Sequence, residues 1–190
     1  MPETLTNLKN ADVEFFQRIR QEPAFAAMLE KLGFEEPYIG QSQHNSVFII
    51  TKAAWTLPQP AGHERTLNIH FEAKDRREMR LEVGPEPWIG GLDRKPAEKA
   101  ALEPVLARKM RLIGALRYRL LGASDIPKHF DTNIRRLLSP AETASHGVVK
   151  FSGRDYGSDP SVEQVARWFS EVIETVTPIV DDVAARYQAS

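Results

Sequence analysis

Residues 67–83 read LNIHFEAKDRREMRLEV. Leu67, Ile69, Phe71 and Ala73 alternate with Asn68, His70, Glu72 and Lys74. After a charged break, Met79, Leu81 and Val83 alternate with Arg80 and Glu82. Side chains along a strand point to opposite faces in turn, so this pattern predicts a hairpin with one buried face. A one-residue slip would turn the apolar set outward, so the faces fix the register. A loop of residues 74–78 pairs Ala73 with Met79, Glu72 with Arg80, Phe71 with Leu81 and His70 with Glu82. A loop of 76–78 instead sets Glu72 against Glu82 and Lys74 against Arg80. The first register joins opposite charges, each cross-strand pair contributing roughly 0.2–1 kcal/mol, and it is the one we adopt. In it Glu72 is neutralised by Arg80.

Other elements extend from this hairpin. Apolar residues Val13, Phe16, Ile19, Phe25, Met28, Leu29 and Leu32 approximate helical spacing over 11–32, with a break or kink at Pro23 and Gly33 as a C-terminal cap. Ser46 to Trp55 is rich in β-branched and aromatic residues and reads as strand, and residues 56–65 as loop. Residues 84–96 form a Gly- and Pro-rich loop around Trp88 and Ile89. Pro96 can open a helix that Pro104 restarts or kinks. Val105, Leu106, Met110, Leu112, Ile113, Leu116 and Leu120 then make an apolar stripe as far as Gly122. Residues 123–147 are irregular, with a short helix near Asn133 to Leu138, and Val148 to Ser152 is a further strand. Ser158-Asp159-Pro160 marks the start of the last helix, whose stripe runs from Val162 to Val183 and bends at Pro178. The expected fold is one α+β domain over residues 1–190. It has an antiparallel sheet of three to four strands, with helices packed mainly on one face.

Composition narrows the function. The chain has 190 residues, 42% apolar and 27% charged, and can bury a substantial core. No apolar run approaches the roughly 18 residues of a membrane span, and the first twenty residues have no secretory h-region. The absence of cysteine excludes disulfides, thiol nucleophiles and thiolate metal sites, and fits a cytoplasmic location. The five histidines, at 44, 63, 70, 129 and 146, are scattered, so neither a zinc site nor any other metal or cofactor is expected. There is no Gly-x-Gly-x-x-Gly, no Walker A loop, no His-Glu-x-x-His and no Gly-x-Ser-x-Gly. Ser145-His146 and His44-Asn45-Ser46 are sequence neighbours, but a catalytic dyad is a matter of geometry that adjacency does not supply.

Net charge is −1, yet Arg94 to Arg136 holds eleven Lys and Arg against four acids. Such asymmetry marks an anion-binding face, unless acidic helices pack against the basic ones and cancel the field. On the helix after Pro104, Arg108, Arg111 and Arg119 share a polar face, and Arg135 and Arg136 downstream extend it. Lys109 falls inside the apolar stripe and Arg117 at its edge, where long stems lie on apolar surface while the charge reaches water. Guanidinium suits bidentate phosphate contacts, and Tyr118 and Trp88 are the aromatic side chains that could stack on bases. The last helix carries Glu163, Glu171, Glu174, Asp181 and Asp182 on its outer side and could pack near the basic helix or form a partner surface.

Glu72-x-Lys74 also resembles the metal-binding and catalytic half-motif of the PD-(D/E)XK nucleases, whose core runs αβββαβ. The resemblance implies carboxylates holding Mg²⁺ and a lysine orienting the attacking water. The family also carries an acid on the preceding strand. Between Glu36 and Glu72 this chain has one acid, Glu64, and no Asp lies between Asp12 and Asp75. The expected function is a non-catalytic binding or adaptor module of bacterial type. It would contact nucleic acid or a protein partner through Arg108, Arg111, Arg119, Arg135 and Arg136. The alternatives are the metal-dependent nuclease and an enzyme on a small anionic substrate anchored by Arg108 and Arg111.

Overall fold

In the computed structural model, residues 3–42, 45–57, 67–84, 96–123, 147–152 and 159–188 are described. Four helices, α1 (Glu3–Gln21), α2 (Pro23–Lys31), α3 (Pro96–Gly122) and α4 (Val162–Gln188), accompany six strands. These are β1 (Tyr38–Ser42), β2 (Asn45–Ile50), β3 (Thr56–Leu57), β4 (Leu67–Asp75), β5 (Glu78–Gly84) and β6 (Gly147–Ser152). The sheet order is β1-β2-β4-β5-β6, with β3 paired to β4, and every pairing is antiparallel. The α+β class holds, but the sheet has six strands among the described residues, more than the expected three or four. β1 contains Gly40-Gln41-Ser42 and lacks the β-branched run that signals a strand, and β3 is only two residues long.

The hairpin register is the one the alternation predicts: His70↔Glu82, Phe71↔Leu81, Glu72↔Arg80 and Ala73↔Met79. The connection is tighter than the expected 74–78 loop. A bulge at Lys74 lets Asp75 pair with Glu78, and the Asp75 carboxylate accepts from the Arg77 N–H at 2.7 Å across the turn. The strand expected from Ser46 to Trp55 also stops early. Beyond Ile50 the Thr51 hydroxyl donates to the Ile69 carbonyl at 2.9 Å, and a single 3-10 turn, Ala53–Trp55, carries Trp55 into the core.

The break at Pro23 separates α1 from α2, as the fixed proline φ dictates. Gly33 at φ 74° ends α2. Its N–H reaches the Glu30 carbonyl at 3.0 Å, and the Phe34 N–H reaches Leu29 at 2.9 Å, a Schellman closure. The cap of α4 is Ser161, just beyond the expected Ser158-Asp159-Pro160 start. Its hydroxyl accepts from the Gln164 N–H at 3.3 Å, while the Gln164 side chain accepts from the Ser161 N–H at 2.8 Å. This reciprocal pair is a capping box.

One apolar cluster joins the helices to one face of the sheet. Phe16, Ile19, Phe25 and Leu29 from α1 and α2, the Val165 to Val183 stripe of α4, and Leu112, Ile113, Leu116 and Leu120 of α3 meet Phe48, Ile50, Ile69, Phe71, Leu81 and Phe151. Phe16 stacks on Phe48 at 5.2 Å between ring centroids. Burial of this area is the main favourable contribution to folding. At its margin Lys52, only 7% exposed, is held by Asp181 at 2.8 Å and by the Leu32 carbonyl at 3.2 Å. Its ammonium lies near the Phe34 and Trp55 rings. The Trp55 indole N–H donates to the same Asp181 at 2.7 Å. No helix among the described residues is long and apolar enough to cross a membrane. The expected short helix near 133–138 and the Trp88 loop lie outside the described residues.

Candidate functional site

Two polar surfaces stand out, one on α3 and α4 and one on the sheet face away from the helices. On α3 the apolar stripe turns Val105, Leu112, Ile113, Leu116 and Leu120 inward, so Ala107, Arg111, Gly114, Tyr118 and Leu121 form the exposed stripe. Tyr118 is 77% exposed. Arg111 stands seven residues before it, about 10 Å along the axis at 1.5 Å per residue. Arg108 donates to the Tyr187 carbonyl of α4 at 3.4 Å, and Arg119 pairs with Asp182 of α4 at 2.7 Å. Asp182 also accepts from Arg186, one turn on, at 2.9 Å. Two arginines, one from each helix, therefore share the Asp182 carboxylate, and Arg108 ties α3 to the end of α4. Arg111 and Arg108 also oppose the upward pull that burial exerts on the Tyr187 phenol, whose pKa remains raised.

Arg108, Arg111 and Arg119 come together as the helical spacing implies, and Arg135 and Arg136 lie outside the described residues. Arg186 was missed by the sequence reading. Its signal was the i,i+4 spacing from Asp182 on the polar side of α4. The lysine and arginine expected to reach water do not. Lys109 and Arg117 are each 2% exposed. Arg117 spans to β6, donating to the Val148 carbonyl at 3.1 Å and the Gly147 carbonyl at 2.5 Å. It serves the sheet end instead of a solvent face.

On the outer sheet face, His70 and Glu72 of β4 meet Glu78, Arg80 and Glu82 of β5 and Lys150 of β6. One donor atom from each of His70, Glu72 and Glu82 lies within 4.8 Å of the others. Arg80 makes ion pairs along its own strand, with Glu78 at 2.5 Å and Glu82 at 3.8 Å, and Lys150 also pairs with Glu78. Burial alone would raise the Glu78 carboxyl, but hydrogen bonds from Lys150 and Arg80 outweigh it and hold the pKa below its ordinary value. Tyr38, 52% exposed at the rim, is raised by burial and then by the charges of Glu35 and Glu72.

The half-motif Glu72-x-Lys74 meets two structural facts. A register shift falls between Ala73 and Asp75, inside the segment that carries the half-motif. The β2 residue opposite Glu72 is Ile49, an apolar side chain where the nuclease pattern calls for an acid on the preceding strand. The acids beside Glu72 come from β5 instead. No protein-family model matches the chain, and no curated protein or solved structure matches it.

Proposed function

We propose that the 190-residue chain is one α+β unit acting as a non-catalytic binding module. Its contact surface is the face formed by α3 and the end of α4, and its ligand is single-stranded nucleic acid. The observation that carries this reading is Tyr118, 77% exposed on the stripe that holds Arg111 and beside Arg119. An exposed ring next to guanidinium groups matches what a flexible strand offers. Bases stack on the ring, each such stack contributing about 1–3 kcal/mol, and phosphates accept from the arginines. Arg186 adds a fourth cation from the neighbouring helix. Asp182 tempers this charge and holds two guanidinium groups in place until a phosphate replaces it.

A charged face without base-edge readout binds with little sequence preference and strong salt dependence. The test is fluorescence anisotropy with labelled single- and double-stranded oligonucleotides over a range of salt, followed by a gel of the same samples. The reading expects intact strands, preference for the single strand, and binding that weakens steeply with salt. Absence of binding at low salt, or a preference for blunt duplex unaffected by Tyr118→Ala, would overturn it. Cleavage that requires Mg²⁺ would replace the binding module with the nuclease alternative.

A further inference from the structure

From the outer sheet face we infer a binding site for one first-row divalent cation, Zn²⁺ or Mn²⁺, formed by His70, Glu72 and Glu82. This goes beyond the nucleic-acid reading and uses a surface made of different residues.

The site is a product of strand pairing. His70 and Glu72 are two apart on β4 and share a face, and the register sets Glu82 directly opposite His70. One donor from each lies within 4.8 Å of the other two. Donors about 2.1 Å from a tetrahedral metal stand about 3.4 Å apart, so rotations of two glutamate side chains close the site without moving backbone. Glu72 and Glu82 are each only 9% exposed. Two carboxylates held this close and this far from water repel, and a divalent ion between them removes that repulsion. Arg80, opposite Glu72 in the register, stands 3.8 Å from Glu82 and 2.5 Å from Glu78. Across the middle of this face the described residues give three carboxylates, Glu72, Glu78 and Glu82, against two cations, Arg80 and Lys150.

A feature independent of the carboxylates bears on the imidazole. A Cβ at Gly84 would stand 3.1 Å from His70 Cε1 and 3.7 Å from Nδ1. The ring therefore lies over Gly84, where a β-carbon would crowd it. An imidazole with two carboxylates favours borderline first-row ions over Ca²⁺ or Mg²⁺, which prefer all-oxygen shells. Water completes the coordination.

The experiment strips the full chain with chelator and titrates ZnCl₂ by calorimetry, with Co²⁺ as a spectroscopic probe of nitrogen ligation. The site predicts one ion per chain and visible Co²⁺ bands. His70→Ala, Glu72→Gln and Glu82→Gln each weaken binding by at least about tenfold with unchanged circular dichroism. Gly84→Val, which displaces the ring and removes no ligand, weakens it as well. If a ligand variant does not fold, the histidine NMR signals of the wild-type chain decide. Mn²⁺ then broadens one imidazole first, and that imidazole is His70. No binding by the stripped wild-type chain, or binding that Glu72→Gln and Glu82→Gln leave unchanged, overturns the site. Broadening that begins at another histidine does the same.

Discussion

Asp182 both restrains and positions the proposed binding face, and its removal should strengthen binding. Its carboxylate takes Arg119 at 2.7 Å and Arg186 at 2.9 Å. Asp182 is 36% exposed, Arg119 48% and Arg186 67%, so these are screened pairs. Exposed pairs contribute about 0.2–1 kcal/mol each, and a phosphate must displace or share both guanidinium groups. Removing the carboxylate also ends its repulsion of an incoming phosphate, about 0.6 kcal/mol at roughly 7 Å in water. With each pair near the low end of that range, these give about 1–1.5 kcal/mol, a five- to tenfold tighter complex for Asp182→Ala at low salt. If one more phosphate is engaged, the log–log salt dependence should steepen by about 0.7 for a single strand. Anisotropy with a labelled oligonucleotide over about 50–300 mM salt reads both quantities, and Asp182→Asn separates loss of charge from loss of the acceptor. A folded Asp182→Ala protein that binds no tighter, or more weakly, would refute the idea that this carboxylate competes with the ligand.

Other predictions concern the fold. Asp181→Ala should cost about 2–4 kcal/mol in urea unfolding, because it leaves the buried Lys52 ammonium and the Trp55 N–H without their shared acceptor. Asp181→Asn should cost less, and equal losses would show that the charge is irrelevant. Glu78 has a folded pKa below its ordinary 4.5, so its ion pairs stabilise above that pH and the contribution is lost as pH falls through the folded value. Stability against pH should therefore be flatter below about 4.5 for Glu78→Gln than for the wild type; parallel acid limbs would contradict this. Gly33→Val should cost about 1–2 kcal/mol, because a β-branched residue at φ 74° is strained. An unchanged melting temperature would count against the Schellman closure.

The parts of this fold legible in the sequence are those whose signal is local. The β4–β5 register follows from alternation and charge opposition, and Pro23 and Gly33 mark α2 by backbone restriction. The missed parts depend on distant partners. β3 exists because Thr56 and Leu57 meet Asn68 and Leu67, and Trp55 leaves the β run because Asp181, far along the chain, accepts its N–H. Helical spacing directs Lys109 and Arg117 toward water because it gives direction and not what lies beyond the side chain. Arg117 finds the carbonyls of β6 there. For the candidate surface, Arg108, Arg111 and Arg119 were visible as one helical face. Arg186 was not, because only the packing of α4 against α3 brings it alongside. Glu72-x-Lys74 illustrates the converse: the spacing is present in sequence, but the β2 residue opposite Glu72 is the apolar Ile49.

The most direct test of the binding face compares the wild-type chain with Arg111→Ala/Tyr118→Ala in single-strand anisotropy at low salt. Both residues are exposed, so the double variant should retain the wild-type melting temperature. The account predicts at least about a thirtyfold loss of affinity, from one stack and one phosphate contact. Wild-type affinity in the double variant would contradict it and move the contact surface away from α3.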